Sequence, residues 1–284
     1  MPELPEVEII RLGLAKRIKG LEIRDIEVLS PASFQADGKK IEGKKVLNVW
    51  RKAKILGIDL TGNLTLLIHL KMSGQLIFTG RGQRLIGGHP TADMAGQMPN
   101  QSTRLIFTFS DGSKLYFNDQ RRFGWIKVLQ TQQVAEEDFF KRLGPEPLNA
   151  EFDWQTLKER LNRHKGLPVK VALMDQSLVS GIGNIYDNEA LFNAGINPAR
   201  EVLSLSDGDY KKLFRGIVKS LADGLRHGGS TIAHFVNSEG KKGYFLSYAY
   251  VYGRGGDACK RCGTTIKKIQ LGGRGTYFCP NCQK

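Results

Sequence analysis

The feature that most constrains the fold of this chain is the spacing of its four cysteines, all of which lie after residue 258. They form two pairs, Cys259-x-x-Cys262 and Cys279-x-x-Cys282, with 16 residues between the pairs. Two thiolate pairs on two turns can close a tetrahedral zinc site, and in a reducing compartment this pattern favours a metal site over disulfides. Because four thiolates leave no coordination position open, we predict one structural Zn²⁺ in a C-terminal ribbon.

The charge balance indicates the class of partner. The 284 residues include 42 Lys and Arg against 28 Asp and Glu, which gives a net charge of +14. Residues 239–284 alone hold nine Lys and Arg against two acidic residues. An excess of this size is typical of proteins that bind a polyanion, and nucleic acid is the first candidate.

An anionic membrane surface is the second candidate, and the sequence disfavours it. No stretch approaches the ~18 apolar residues of a membrane-spanning helix, and no basic amphipathic segment dominates. The opening Met1-Pro2-Glu3-Leu4-Pro5 lacks the basic and apolar regions of a signal peptide. We therefore expect a cytoplasmic protein without a membrane partner.

The N-terminal part of the chain predicts one helix followed by many short strands. Apolar residues recur at helical spacing from Val7 to Ile18, and Pro5 suits the first turn of a helix. From about residue 21 to 129, short β-rich runs alternate with turn residues, which indicates a β-sandwich or barrel. The stretch 79–102 contains five Gly and two Pro without periodicity, and we predict a long surface loop there.

The C-terminal part predicts mainly helices ahead of the cysteines. The run Gly144-Pro145-Glu146-Pro147 predicts a linker between two domains. Helical patterns follow near residues 153–163, 168–176, 186–194 and 207–226. The glycine-bearing turn 179–184 separates the second from the third.

The N-terminus offers a candidate nucleophile. Removal of Met1 would expose a secondary amine on Pro2, and an α-amino group with a pKa near ~7.7–8 has a sizeable neutral fraction at pH 7. Attack of this amine on a sugar C1′ gives a cationic iminium, which is suited to elimination chemistry. The adjacent Glu3 could shuttle protons to the sugar or to a leaving base. The alternative is a frayed terminus with a solvated glutamate.

Three further clusters are candidates for DNA contact: a basic run that opens a predicted strand, and two predicted turns that carry an apolar residue. Lys54 follows Arg51 and Lys52, Met72 lies in the run 69–74, and Phe123 follows two arginines in the run 119–124. Exposed Met and Phe beside Arg can fill the hole that remains when a base is flipped out of a duplex. The alternative for each apolar residue is packing in the core.

Together these motifs resemble the bacterial formamidopyrimidine-DNA glycosylase family. The match runs in the family's order through the following segments: Met1–Glu8, Lys54, His69–Gly74, Asp119–Gly124, Asp175–Gln176 with Gly181–Tyr186, Val251–Arg254, and the cysteine ribbon with Gly273–Gly275. The resemblance implies an α+β protein with an N-terminal helix and β-sandwich domain at residues 1–144. A helix-two-turn-helix domain would occupy 145–248 and a zinc finger 249–284, with DNA in the cleft between domains.

The resemblance also implies the activity and the catalytic residues. The family removes oxidised purines such as 8-oxoguanine and formamidopyrimidines from duplex DNA and then cleaves the strand by β,δ-elimination. Pro2 would be the Schiff-base nucleophile and Glu3 the general acid. Lys54 would hold the phosphate beside the lesion and assist β-elimination, and Arg274 would assist δ-elimination.

The remaining implied roles concern the grip on damaged double-stranded DNA. Three residues would fill the gap left by the flipped nucleotide: Met72, Arg121 and Phe123. Four residues would contact DNA elsewhere: His69, Asn184, Tyr252 and Lys165. The segment 236–245 resembles the lid over the damaged base.

The sequence departs from the family pattern in places, and rival functions stay open. Gln120 replaces a common proline, and the stretch 101–104 offers no histidine where the family has a DNA-contacting one. An endonuclease VIII-like enzyme for oxidised pyrimidines would share Pro2 and the finger, whereas a non-catalytic DNA-binding protein would be expected to lose Pro2, Glu3 or Lys54. No dimer seam is visible, so we expect a monomer.

Overall fold

A computed structural model describes residues 1–36, 38–88, 96–229 and 245–284. These residues fall into two compact units, one of residues 1–141 and the other of residues 142–229 with 245–284. The division lies just ahead of the predicted linker, and the backbone of that linker is bonded within the second unit. The Gly144 N–H donates to Gln176 O at 2.8 Å, and the Ser180 N–H donates to Pro145 O at 3.0 Å.

The first unit is a β-sandwich of two five-stranded sheets. Its strands have the following bounds: β1 Ile23–Val28, β2 Phe34–Gln35, β3 Val46–Lys52, β4 Ile55–Leu60, β5 Leu64–His69, β6 Gly74–Gly80, β7 Gln83–Gly88, β8 Thr103–Phe109, β9 Lys114–Asp119 and β10 Trp125–Gln130. One sheet has the order β1-β8-β9-β6-β7 and the other β2-β10-β5-β4-β3. All pairings are antiparallel except the short contact of β10 with β2. The sandwich alternative is therefore confirmed over the barrel.

Helix α1 (Leu4–Ile18) packs against both β3 and β7, the edge strands at one end of each sheet order. Its buried apolar face joins the side chains of both sheets in one core. Close approach is possible because β7 offers Gly87, where an added Cβ would lie 2.2 Å from Ile10. The helix thus covers two sheet edges, and its N-terminus is held on the sandwich.

The loop predicted at 79–102 is wrong for residues 79–88, while residues 96–102 lie outside the strands as predicted. Residues 89–95 of the predicted loop lie outside the described residues. Strand β6 extends to Gly80, and β7 pairs with it through Gly80 and Gln83. The two residues between them, Arg81 and Gly82, have φ values of 52° and 69°, as a tight hairpin turn requires. Gly82 therefore belongs to the turn of a hairpin, and the buried Leu85 and Ile86 that follow it belong to the sheet.

The second unit is helical with a small β-hairpin. Its elements have the following bounds: α3 Trp154–Leu161, α4 Val169–Leu173, α5 Asn184–Ala194, α6 Asp207–Arg226, α7 Phe245–Tyr248, β11 Lys267–Leu271 and β12 Arg274–Phe278. A short helix α2 (Asp138–Lys141) ends the first unit. Helices α5 and α6 pack closely, because a Cβ at Gly216 would lie 2.5 Å from Ala190 O. None of the helices among the described residues is long and apolar enough to cross a membrane.

Candidate functional site

The N-terminus of α1 carries the predicted nucleophile and acid. Pro2 is buried, and Glu3 is the N-cap residue of the helix with 2 % of its surface exposed. The Glu3 N–H donates to Glu6 Oε2 at 2.8 Å, so the acid is fixed by a carboxylate one turn further on. If Met1 is removed, the positive end of the helix dipole would favour the neutral form of the Pro2 amine.

Lys54 lies on the turn between β3 and β4, and that turn is tied to α1. Ala53 adopts a left-handed φ of 52°, and its carbonyl accepts from Arg51 Nη1 at 3.1 Å. Arg51 Nε in turn pairs with Glu8 Oε2 at 3.1 Å. Burial opposes ionisation of Glu8, but Arg11 and Arg51 together hold its pKa below the ordinary value. The ion pair therefore fixes the Lys54 turn against the helix that carries Glu3.

His69 ends β5 and is held neutral in a defined tautomer. Its Nδ1 accepts the Lys71 N–H at 3.0 Å, which leaves the ring proton on Nε2 as a donor. Burial against Trp125 and Phe139 lowers its pKa to about 3, and the charges of Lys71 and Lys54 act in the same direction. A neutral donor between two cations is suited to an anionic oxygen.

The depressed pKa of His69 predicts a pH-dependent stability. Between pH 6.5 and about 3 the unfolded chain binds a proton on His69 that the folded protein does not. The free energy of unfolding should therefore decrease as the pH is lowered through this window, by up to about 1.4 kcal/mol per pH unit from this group. Urea unfolding of the wild type and of His69→Gln from pH 7 to pH 4 checks this. Equal slopes in both proteins would contradict it.

Met72 and Phe123 lie at the tips of two turns of the first unit. The Met72 turn closes with the Gly74 N–H on Leu70 O at 2.8 Å, and Met72 is half-buried. Phe123 is 54 % exposed, and the Arg121 guanidinium lies 4.9 Å from its ring centroid. An exposed phenylalanine under an arginine does not fit the core-packing alternative at this position.

In the second unit three predicted contacts lie on or beside the hairpin. Asn184, the first residue of α5, donates from Nδ2 to Gly275 O at 3.1 Å, next to Arg274. Arg274 is exposed and follows the two-residue turn Gly272-Gly273, whose φ values are 54° and 70°. The Tyr252 ring lies 5.4 Å from that of Tyr277 on β12.

Lys165 belongs to a different part of this unit. It is exposed after α3, and its carbonyl accepts the Leu203 N–H at 3.0 Å. Its backbone therefore pairs with the segment ahead of α6. Its contact with DNA stays a prediction from the resemblance.

The four cysteine sulfurs form a cluster whose dimensions fit a tetrahedral zinc ion. All four lie within 4.8 Å of one another, with separations of 3.5 Å for Cys262–Cys279, 3.4 Å for Cys262–Cys282 and 4.0 Å for Cys259–Cys282. A Zn–S distance of ~2.3 Å in a tetrahedron requires sulfurs about 3.8 Å apart. The donor set is complete, so a zinc ion bound here would be structural.

Three family models match the chain in order and together cover most of it. Residues 1–126 match the formamidopyrimidine-DNA glycosylase N-terminal domain. Residues 143–236 match the formamidopyrimidine-DNA glycosylase H2TH domain, and residues 256–284 match a zinc finger found in FPG and IleRS. The chain belongs to the formamidopyrimidine-DNA glycosylase family.

Similar proteins extend over the full length. A formamidopyrimidine-DNA glycosylase of Hahella chejuensis is 40 % identical over 289 residues, which is 100 % of both chains. The solved complex of wild-type Lactococcus lactis Fpg with DNA containing N7-benzyl-Fapy-dG is 34 % identical, with a TM-score of 0.86 and 100 % of both chains covered. A Lactococcus lactis Fpg complex with abasic-site DNA has a TM-score of 0.85 at 34 % identity, over 99 % of both chains.

Two segments that the sequence analysis compared with this family are the lid-like stretch 236–245 and the stretch 101–104, which lacks a histidine. The lid-like segment 236–245 lies outside the described residues except for Phe245. Where the family's DNA-contacting histidine is missing, Thr103 and Arg104 begin β8, and Arg104 is buried. Its Nε donates to Asp119 O at 2.9 Å and its Nη1 to Gln101 O at 3.0 Å.

Sequence reasoning missed the polar residues of α5 that hold the hairpin and the segment 250–252 ahead of it. The buried Glu189 carboxylate accepts the N–H groups of Tyr250, Val251 and Tyr252 at 2.8–2.9 Å. Asn188 Oδ1 accepts the Tyr277 N–H at 2.6 Å. Desolvation raises the pKa of Glu189 despite these three donors. A glutamate on the apolar face of a predicted helix was the available signal, because a buried charge needs partners.

Proposed function

We propose that this protein is a bifunctional DNA glycosylase and AP lyase of base excision repair. It removes oxidised purines, 8-oxoguanine and formamidopyrimidines, from duplex DNA and cleaves the strand by β,δ-elimination. The observation that carries the proposal is the pair Pro2 and Glu3 at the start of α1, in a chain that belongs to this family. The bound DNA of its structural relatives supports the substrate class.

The chemistry follows from the residues at the N-terminus. Once Met1 is removed, the Pro2 amine attacks C1′ of the damaged nucleotide, and the glycosidic bond breaks with its electron pair on the base. Glu3 supplies a proton to the departing base or to the sugar oxygen. Opening of the sugar leaves a cationic iminium between Pro2 and C1′, which acidifies C2′–H. Loss of that proton expels the 3′ phosphate, and a second elimination expels the 5′ phosphate.

DNA is held by contacts from both units. Lys54 and His69 hold phosphates near the lesion, and Lys54 assists β-elimination. Asn184, Tyr252 and Lys165 bind phosphates through the second unit. Arg274 assists δ-elimination from the hairpin, which one structural Zn²⁺ on the four cysteines stabilises. Met72, Arg121 and Phe123 fill the gap in the duplex, and the enzyme acts as a cytoplasmic monomer.

Borohydride trapping tests the function and separates it from its rivals. Reduction of the iminium on duplexes with 8-oxoguanine should join the protein covalently to DNA, and peptide mapping should place the adduct on Pro2. A duplex with thymine glycol should give a much weaker adduct. A preference for thymine glycol would favour the endonuclease VIII alternative, and the absence of any adduct would favour a non-catalytic protein. An adduct on a lysine would overturn the nucleophile assignment.

Salt dependence should report the phosphate contacts. The logarithm of the binding constant should fall against log salt concentration with a slope of about −0.9 per phosphate neutralised. Arg274→Gln should flatten the slope by roughly one unit on damaged and undamaged duplex alike, because a phosphate contact carries no sequence information. Filter binding or fluorescence anisotropy over a salt series measures it.

The exposed Lys19 supplies the matched control. It follows the C-terminus of α1, about 24 Å along the helix axis from Glu3. Lys19→Gln should leave the slope unchanged. If both variants flattened the slope equally, binding would depend on total charge and not on placed contacts.

A further inference from the structure

The two turns that carry Met72 and Phe123 meet at one buried carboxylate. Asp119, the last residue of β9, is fully buried, and in the sheet register it lies opposite Gly74 at the start of β6. The Met72 turn therefore leads into β6 beside the point where β9 ends and the turn with Phe123 begins. Strand pairing alone places the turns side by side but does not join their tips.

The side-chain hydrogen bonds of Asp119 reach into both turns. Ser73, which follows Met72 and is 3 % exposed, donates from Oγ to Asp119 Oδ1 at 2.5 Å. On the other turn, the Gly124 N–H donates to Asp119 Oδ2 at 2.6 Å and the Arg121 N–H to Oδ1 at 3.2 Å. The Arg121 N–H also donates to Ser73 Oγ at 3.0 Å, a direct bond between the turns.

We propose that Asp119 and Ser73 are positioning residues that join the Met72 turn and the Arg121–Phe123 turn into one rigid wedge. This inference rests on the proposed function, because it concerns how the gap in the duplex is filled. Two independent turns would each lose conformational freedom on entering the duplex, whereas a joined pair is ordered before binding. A buried carboxylate suits this task, since it accepts several backbone N–H groups without its own backbone moving.

The chain contains a matched Ser–Asp pair at the other end of β9. Ser113 is 2 % exposed, and its Oγ donates to Asp111 Oδ1 at 2.5 Å within the β8–β9 turn. Five residue steps along β9 separate Lys114 from Asp119, which is about 17 Å. Ser113→Ala therefore removes a partly buried Ser–Asp hydrogen bond of the same length without touching the wedge.

A thermodynamic cycle across the two turns tests the proposal. The affinity for a duplex with a tetrahydrofuran abasic analogue, and for its undamaged counterpart, is measured with and without Phe123→Ala in three backgrounds: wild type, Ser73→Ala and Ser113→Ala. In the wild type and in Ser113→Ala, loss of the ring should weaken lesion binding on the order of tenfold. In Ser73→Ala the same loss should cost less than about threefold, because the turn that carries the ring is no longer bonded to the Met72 turn through Ser73 Oγ.

Each outcome bears on the coupling or on the function beneath it. An equal cost of Phe123→Ala in all three backgrounds overturns the coupling and leaves the wedge assignment standing. If Phe123→Ala has no effect even in the wild type, both the wedge role of Phe123 and the proposed coupling are wrong. A wild type without preference for the lesion duplex refutes the proposed function itself. Should Ser73→Ala fail to fold, Asp119→Asn replaces it, since it keeps an acceptor for one turn and loses the second.

Discussion

Glu3→Gln should lower the rate of 8-oxoguanine release by about 10²–10⁴-fold, the range for loss of a general acid. Glutamine keeps the shape of the side chain and the backbone N–H that Glu6 accepts, so the helix start should stay intact. The measurement is single-turnover base release at saturating enzyme, with the thermal melt as a check of folding. A loss of that size with an unchanged melt assigns Glu3 to the chemistry.

A substrate that already lacks the base provides the internal control. On a preformed abasic site no base must be protonated, so Glu3→Gln should still be trapped by borohydride through Pro2. Blocking the Pro2 amine by acetylation should abolish trapping on both substrates. If Glu3→Gln lost trapping on the abasic site as completely as base release, the residue would act on the sugar oxygen, on the nucleophile or on folding, and its role as the acid for the base would be wrong.

Removal of zinc should abolish tight DNA binding while the first unit stays folded. The ribbon has only a small apolar cluster, which it shares with Phe192 of α5, so the fold of residues 250–284 should depend on the metal. Its loss would displace Arg274 and the Tyr252 segment that Glu189 holds. We expect the affinity for lesion duplex to fall at least about 100-fold, because several phosphate contacts are lost together.

The tryptophans allow the two units to be followed separately. Trp50 and Trp125 belong to the first unit and Trp154 to the second, so Trp154→Phe leaves reporters in the first unit alone. In this background Cys259→Ser or a chelator should leave the fluorescence melt cooperative while DNA binding disappears. A zinc-free protein that bound lesion DNA normally and lost only the chemical step would show that the metal is catalytic, contrary to its complete thiolate coordination.

The local signals in the sequence were sufficient for the long helices and for the spacing of the cysteines in the ribbon. The periodicity from Val7 to Ile18 predicted α1, which the structure places at Leu4–Ile18, and the pattern at 207–226 coincides with α6. The prediction of a loop failed at the β6–β7 hairpin, because glycine is common both in loops and in tight turns. Gly82 terminates a strand by a hairpin turn that requires a positive φ, and a glycine count by itself does not distinguish such a turn from a loop.

What the sequence by itself determined was the chemistry each segment can offer. The amine of Pro2, the thiolates and the basic turns are properties of residue types and of their spacing along a few positions. Only the tertiary structure decided which residues support them. Ser73 and Asp119 lie 46 residues apart, and Asn184 lies 91 residues from Gly275. Such pairs follow from sheet register and helix packing, which depend on the whole core, so no local pattern carries them.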